Sequence, residues 1–419
     1  MSSFSTTRRS LLGLIAGTVL VVGALGAVAG WALPVVVATI LLMVMLHEFG
    51  HFIVAKRAGM LVTDFFVGFG PVLWSTTWGE TRYGIRLLPL GGYVKVPGMT
   101  WTDDIDPVIE SRTYRSASYP RKVLFASAGS LMHMVIAFTL AGALLMVVGT
   151  PQPNAVGVAG FEVWSGHVHN VAQEAGLHTG DRILRVDGVT VSSMQTVIDQ
   201  VRSHAGRPVT LVVERGGQTL SFAATPADGR HILVDGTPLA TGATPQGYLG
   251  IALSELNVRQ SLGSATVHAA VMMGDVIRQT FASLGHVFSP SEVHSLAHQI
   301  LDPSAARSPA AQATRPESIV GVIRIADQAA TTNIGALLVV LMSLNIFVGI
   351  MNMMPLLPLD GGYVAIASYE RLRRRQGASH QADIRKLLPV VYVFVTMLAL
   401  LFASTLYLDI VDPITNPFK

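Results

Sequence analysis

Pro34-Val-Val-Val-Ala-Thr-Ile-Leu-Leu-Met-Val-Met-Leu-His47-Glu48-Phe-Gly-His51-Phe-Ile-Val-Ala55 places two imidazoles and a carboxylate inside one apolar run. A helix of that length crosses the hydrocarbon core of a bilayer. The four-residue spacing puts His47 and His51 on one helix face, one turn apart. Both can therefore reach one zinc ion, and Glu48 stands close enough to take a proton from a water at the metal. Chance spacing of two hydrogen-bonded core histidines is the competing reading. Lipid disfavours it, because ionisable side chains in a membrane helix are costly and mark function. Two histidines and a water leave four-coordinate zinc one protein ligand short.

Composition agrees with a membrane setting. Half of the 419 residues are apolar and only 13% are charged, about half the charge of an ordinary soluble domain. With no cysteine in the chain, disulfides and thiolate ligands are excluded, which leaves His, Asp and Glu for zinc. The formal net charge is only +3, and the basic residues gather in loops. Such a distribution orients membrane helices and is not a nucleic-acid footprint, so no nucleic-acid partner is expected.

The apolar runs predict a polytopic α-helical membrane protein with about five transmembrane helices. Residues 1–33 carry an extra helix, Leu11 to Gly30, behind Arg8-Arg9; it is longer than a usual signal-peptide core. Residues 34–150 are the first half of a membrane core. They comprise the His47 helix, a loop at 56–122 rich in Lys and Arg, and a helix from Val123 to Gly149. Positive loops stay inside, so this loop and the metal lie toward the cytoplasm. Within the loop, residues 82–97 read as strand, Gly91-Gly92 turn and strand, a β-hairpin lying on the membrane or the active site. In the next helix the small residues Ala126 to Ser130 allow close packing, and His133 reads as a hydrogen-bonded interior residue rather than a ligand.

Residues 151–255 change character: charges return and strands alternate with turns. The run Ala175-Gly-Leu-His-Thr-Gly-Asp-Arg-Ile-Leu-Arg-Val-Asp-Gly188 resembles that of a bacterial PDZ domain. An extracytoplasmic α+β insert of that type binds a peptide or chain terminus at a sheet edge. Gly247-Tyr-Leu-Gly-Ile251 is expected to line its groove. Residues 256–332 predict extracytoplasmic amphipathic helices and a linker. His294 and His298 also stand four apart there, but no glutamate follows His294 and the segment is not embedded. Residues 333–408 form the second half of the core, with helices from Ile334 to Met351 and Leu387 to Leu408. Residues 409–419 are a tail.

Asp360 is the expected third ligand. It is the carboxylate beside a helix end at the depth and side of His47 and His51. Pro355 and Pro358 break the helix before it, and Gly361-Gly362 allow unusual backbone angles after it. Non-helical backbone at membrane depth needs burial in protein or a watery cavity, which is also what hydrolysis needs. Asn352 can donate to substrate or to a developing oxyanion; a plain helix C-terminus is its other reading.

Taken together, His47-Glu48-Phe-Gly-His51, Phe69-Gly-Pro71, Pro89-Leu-Gly-Gly-Tyr-Val-Lys95, the PDZ-like run and Asn352 to Gly362 resemble the site-2 protease family, in its bacterial form with a PDZ domain. The resemblance implies Zn2+ held by His47, His51 and Asp360, with Glu48 as general base. It implies a place in the bacterial plasma membrane and cleavage of single-span membrane proteins such as anti-sigma factors, after a first cut by an upstream site-1-type protease. Several positions depart from the common pattern. Gly129-Ser-Leu-Met-His133 stands where many members have Gly-Pro-x-x-Asn, and Tyr363 stands where many have His. The prolines at 355 and 358 are also one residue further apart than usual. A non-catalytic membrane scaffold with a PDZ domain is the alternative, and a transporter lacks the inverted repeat it would need.

Overall fold

Four of the apolar runs fold into helices long and apolar enough to cross a membrane, in keeping with a multi-pass membrane protein. The computed structural model describes residues 31–99, 105–162, 170–234, 237–242, 244–287, 289–302, 312, 315–373, 382, 384–414 and 416–418. The helix expected from Leu11 to Gly30 lies outside the described residues. The chain divides into two units, Leu144–Ala265 and the remainder.

Helix α1 (Ala32–Arg57) is apolar all round, yet one stripe of it is buried: Val36, Met43, His47, Gly50, His51 and Ala55. Val35, Leu42 and Phe49 are exposed. They recur every seven residues, which is two turns, and so form the side a bilayer would cover. Strands β1 (Asp64–Trp78) and β2 (Thr81–Lys95) follow. Both bend, so that residues 64–67 pair with 82–85 on one side and with 92–95 on the other.

The expected hairpin is present in part. The chain does reverse at Gly91-Gly92: residues 82–85 run alongside 64–67 in the same direction, and 92–95 run back along the other edge of 64–67. The two arms pair with segment 64–67 between them and not with each other, which is the correction. The tight hairpin is at Gly79-Glu80, where Trp78 pairs with Thr81 and Gly79 has φ +62°. Gly92 also permits close backbone approach, because a Cβ there would stand 3.0 Å from the Phe66 carbonyl oxygen. The tip at Gly79-Glu80 is pinned by Glu80, which accepts from Lys56 and Arg112, each at 2.8 Å. Those two cations hold its carboxyl below the usual range. Helix α2 (Tyr119–Val147) then returns as the second apolar helix.

The unit Leu144–Ala265 is built on strands β3 (Thr150–Phe161) and β4 (Arg182–Val186), helix α3 (Met194–Arg202), and strands β5 (Val209–Arg215), β6 (Gln218–Ala224) and β7 (Ile251–Val258). The sheet order is β7-β3-β4-β5-β6, with the short strand Val189–Thr190 beside β4. Val209, Leu211 and Val213 of β5 point inward in alternation and join Val156, Ile183 and Val197 in one core. Asp187-Gly188, both at positive φ, turn the chain after β4 as an Asp-Gly pair should. Asp181 is buried and takes a two-pronged bond from Arg215 at 2.6 and 2.7 Å. Burial works to raise its pKa, but the guanidinium outweighs this and the net direction is down. A cleft of about 210 Å³ lies between α3 and the start of β7, lined by Val197, Val201, Arg202, Leu249, Gly250 and Ile251. Strand β7 is the outer strand of the sheet at that cleft.

The remainder of the chain continues with α4 (Leu262–Val287), α5 (Pro290–Leu301), α6 (Ile319–Thr332), α7 (Ile334–Asn352), α8 (Asp360–Arg373) and α9 (Leu388–Val411). Helices α7 and α9 are the other two long apolar ones. Helix α6 is capped by Ser318, whose hydroxyl accepts from the Val320 and Gly321 amides. Its entry is fixed by a buried knot of charge. Arg315 meets Asp409 at 3.3 Å with both side chains fully covered, the Ser318 amide donates to Asp409 Oδ2 at 2.8 Å, and Arg324 donates to the Asp409 carbonyl at 2.9 Å. Glu317 is pushed up to about 7, by burial first and then by Asp409 beside it, against the pull of Arg315 and Arg324. A folded-state pKa above the unfolded one means that the fold prefers protonated Glu317. Its contribution is complete at low pH and is lost as pH rises through about 7. Unfolding titrations of the wild type should show stability declining as pH rises from the ordinary carboxylate range to about 7, and levelling off above it. A Glu317→Gln protein should show a flatter profile, and an unchanged slope would remove Glu317 from the account.

Candidate metal centre

Helix α2 carries one half of the site as a mould. His51 Nδ1 lies 2.8 Å from the backbone oxygen of Phe125. A carbonyl only accepts, so Nδ1 carries the proton and Nε2 keeps its lone pair. The His47 ring lies on Gly129, where a Cβ would overlap its Cε1, Nδ1 and Nε2 atoms. One turn along α1, a Cβ on Gly50 would come within 2.7 Å of the Ala128 oxygen. The small-residue run that predicted close packing is therefore the place where the two helices cross.

Helix α7 and the turn after it carry the other half. The turn from Met353 to Leu359 contains Pro355 and Pro358 and delivers Asp360 at the first position of α8. The start of α8 folds back on this turn so tightly that a Cβ on Gly362 would lie 2.7 Å from the Leu357 nitrogen. Only glycine leaves that room.

Together these elements bring His47, His51 and Asp360 into one group. His47 Nε2 and His51 Nε2 are 3.3 Å apart. Asp360 Oδ2 is 3.3 Å from each of them. Asp360 Oδ2 is buried and accepts no hydrogen bond. Three electron-rich atoms facing one another at this distance repel unless a cation stands among them. A point equidistant from the corners of such a triangle lies about 1.9 Å from each, just inside the zinc–nitrogen and zinc–oxygen distances of about 2.0–2.2 Å. The residues therefore fit a metal ion, with one carboxylate and two neutral imidazoles as donors.

Glu48 is half-buried on the adjacent side of α1. A Cβ on Gly92 would stand 3.0 Å from Glu48 Cγ, so segment 92–95 of β2 runs past the carboxylate. His133 is buried and lies outside the three-atom group. Its Nδ1 donates to Asn345 Oδ1 at 3.0 Å, and Asn345 Nδ2 donates to the Leu341 carbonyl at 2.8 Å. That acceptor-only carbonyl fixes the amide orientation and with it the His133 tautomer. The His133 ring lies 5.0 Å from the His47 ring, centre to centre. Asn352 ends α7 and is half-buried. His294 and His298 are exposed on α5 and take no part in the group. The spacing of residues could not reveal the Phe125 carbonyl or the Asn345 partner, which come from helices far away in sequence. Gly129 had a visible signal in the small-residue run.

Comparison with known proteins gives a consistent picture. Residues 35–399 match Peptidase family M50. The chain is 32% identical over 398 residues to the zinc metalloprotease Rip1 of Mycobacterium tuberculosis (strain ATCC 25618 / H37Rv), covering 90% of this chain and 96% of that protein. It is 31% identical over 410 residues to Rip1 of Mycolicibacterium smegmatis, with the same coverage. It is 28% identical over 345 residues to the chloroplastic membrane metalloprotease ARASP of Arabidopsis thaliana, covering 80% of this chain and 70% of that protein.

Proposed function

Because the chain belongs to peptidase family M50, we propose that it is a zinc-dependent endopeptidase that cuts single-span membrane proteins within the bilayer. The observation that carries this reading is the trio of electron-rich atoms 3.3 Å apart, two of them on a helix long enough to cross a membrane. In this reading His47, His51 and Asp360 hold the ion. Bound zinc would supply Lewis acidity, lowering the pKa of water and polarising the scissile carbonyl.

The chain's own groups do the rest. Glu48 takes the proton from the attacking water and returns it to the departing amine. The Phe125 carbonyl and Gly129 keep the two imidazoles in place through that transfer. Asn352 donates to the substrate backbone. A helical peptide bond is shielded by its own turn, so the substrate must unwind to be cut. Segment 92–95, running past Glu48, offers an edge on which an unwound strand can pair. The finer features of the reading follow the sequence. The metal faces the cytoplasmic side of a bacterial plasma membrane, as the basic loops indicate. The unit around β3–β7 is a PDZ-like domain outside, whose cleft between α3 and β7 takes a peptide or chain terminus. Anti-sigma factors already trimmed by an upstream site-1-type protease are the substrate class this arrangement suits.

The test uses purified protein in detergent and a single-span protein substrate. The expected result is cleavage that a chelator abolishes and added zinc restores, with stoichiometric zinc in the wild type and little in Asp360→Ala. Cleavage that survives chelation would refute a zinc-dependent activity, zinc retained without Asp360 would remove Asp360 from the ligands, and a zinc-loaded wild type that cleaves nothing would favour a scaffold.

A further inference from the structure

The lysines and arginines between α8 and α9 orient the membrane helices, and the structure sets one of them at the mouth of a groove. The groove holds about 480 Å³ between α8 and the start of α9, a size within the range of about 300–1,000 Å³ typical of small-molecule sites. Its two ends differ. Pro355, Leu356, Leu357 and Gly362 wall one end, where the turn that delivers Asp360 folds against α8. Tyr369, Ala382 and Lys386 line the other. The Ala382 amide donates to Glu370 Oε1 at 3.1 Å, which sets residue 382 at the end of α8 that carries Tyr369. That end is two turns of helix beyond Gly362, about 10 Å away. Ile366, Val390 and Val391 make the wall between apolar throughout. Val390 is exposed on a helix long enough to cross a membrane, so the groove opens on the side a bilayer covers.

The mouth is basic. Segment 370–386 holds Arg371, Arg373, Arg374, Arg375, Arg385 and Lys386 against Glu370 and Asp383. Glu370 is already taken, by Lys122 at 3.0 Å as well as by the Ala382 amide. Among the described residues no carboxylate pairs with Lys386. The Arg373 guanidinium lies 5.5 Å from the centre of the Tyr369 ring and adds a second cation on that side. Lys386 stands at the start of the apolar span Arg385–Val411, which is the level of lipid headgroups.

An apolar slot with a cation at its lip fits an amphiphile with an anionic head. A substrate segment fits it poorly. The rule that orients this chain gives a single-span protein a cytoplasmic flank rich in Lys and Arg, and the basic mouth repels such a flank. A zwitterionic lipid carries a cation of its own to the same mouth and gains less there. We propose that the groove binds an anionic phospholipid, with one acyl chain along the apolar wall against the Asp360 turn and the phosphate on Lys386. Basic pockets between membrane helices take anionic headgroups on the same physical grounds. The site needs neither zinc nor substrate, so it stands apart from the endopeptidase reading.

The test uses the full chain in phosphatidylcholine vesicles. A trace of phosphatidylglycerol or of phosphatidylcholine, each with a photoactivatable group near the end of one acyl chain, is crosslinked and the adducts are mapped to residues. Phosphatidylglycerol should label segments 355–357 and 390–391 about fivefold more than phosphatidylcholine does, the worth of one basic side chain near an anionic lipid. The two lipids should label Val35 and Leu42 alike, since these are exposed on α1 far from any such mouth. Lys386→Gln should bring labelling of the groove by phosphatidylglycerol down to the phosphatidylcholine level, and Lys386→Arg should keep it. Equal labelling of the groove by the two lipids would overturn the proposal, as would the same preference at Val35 and Leu42. A preference that survives Lys386→Gln, or one lost in Lys386→Arg too, would overturn it as well. No labelling of the groove by either lipid would also overturn it and leave the space to a peptide.

Discussion

A Glu48→Gln protein will keep its zinc and its fold yet cleave substrate roughly 10²–10⁴-fold more slowly than wild type, the range associated with loss of a positioned acid–base group. The exchange conserves size, which matters because Gly92 of β2 packs directly against the Glu48 side chain. A carboxamide fills the same space but cannot take up the water proton. None of the three grouped atoms belongs to Glu48, so the metal should stay. Rates and zinc content must be measured on the same preparation. Slow cleavage with zinc retained assigns Glu48 to proton transfer. Loss of zinc alongside the rate would make Glu48 part of the metal's support, and a rate above a tenth of wild type would rule it out as the base.

The second large effect comes from a single added carbon. Gly129→Ala should empty the metal site and reduce cleavage at least a hundredfold, because the new Cβ would occupy the space of the His47 ring. His47 then has to swing off, and its Nε2 leaves the position 3.3 Å from both Asp360 Oδ2 and His51 Nε2. Elsewhere in a helix the same exchange would stabilise by about 1 kcal/mol. Here the displaced ring is buried at a helix crossing, and its overpacking opposes that gain. The diagnostic readout is therefore the metal: the gain in melting temperature on adding zinc should vanish. Binding energy that the folded state no longer receives accounts for that loss. A Gly129→Ala protein that still gains stability from zinc would show that the ring has room the structure denies it.

These two residues mark what a sequence can and cannot disclose. The pattern around His47, Glu48 and His51 was legible because its geometry is local: one helix period fixes who shares a face. Asp360 was legible because prolines and glycines announce a broken helix, and a carboxylate there had a partner to seek. The long apolar helices from α1 to α9 showed themselves by length and composition. The supporting atoms did not, since Phe125, Gly129 and Asn345 act across helix contacts between residues tens to hundreds of positions apart. The hairpin was legible only in part. Gly91-Gly92 has the composition of a turn and the chain reverses there, but composition does not say what each arm pairs with. Segment 64–67 takes both arms, and the tight hairpin lies instead where Trp78 pairs with Thr81.

The hydrogen bond from His51 to the Phe125 carbonyl bears on how such a site drifts over generations. Every amino acid carries that oxygen. Mutation at position 125 never removes it, provided the helix survives. What mutation there does disturb is the buried ring, packed against Tyr114 and the His51 imidazole. Its partner Gly129 acts by having no side chain and tolerates no rewriting. Selection therefore acts on Gly129 through the site itself, and on position 125 through the packing of its ring, never through the oxygen. Ranking residues by how rarely they change would find the glycine for its true role and would never single out the carbonyl.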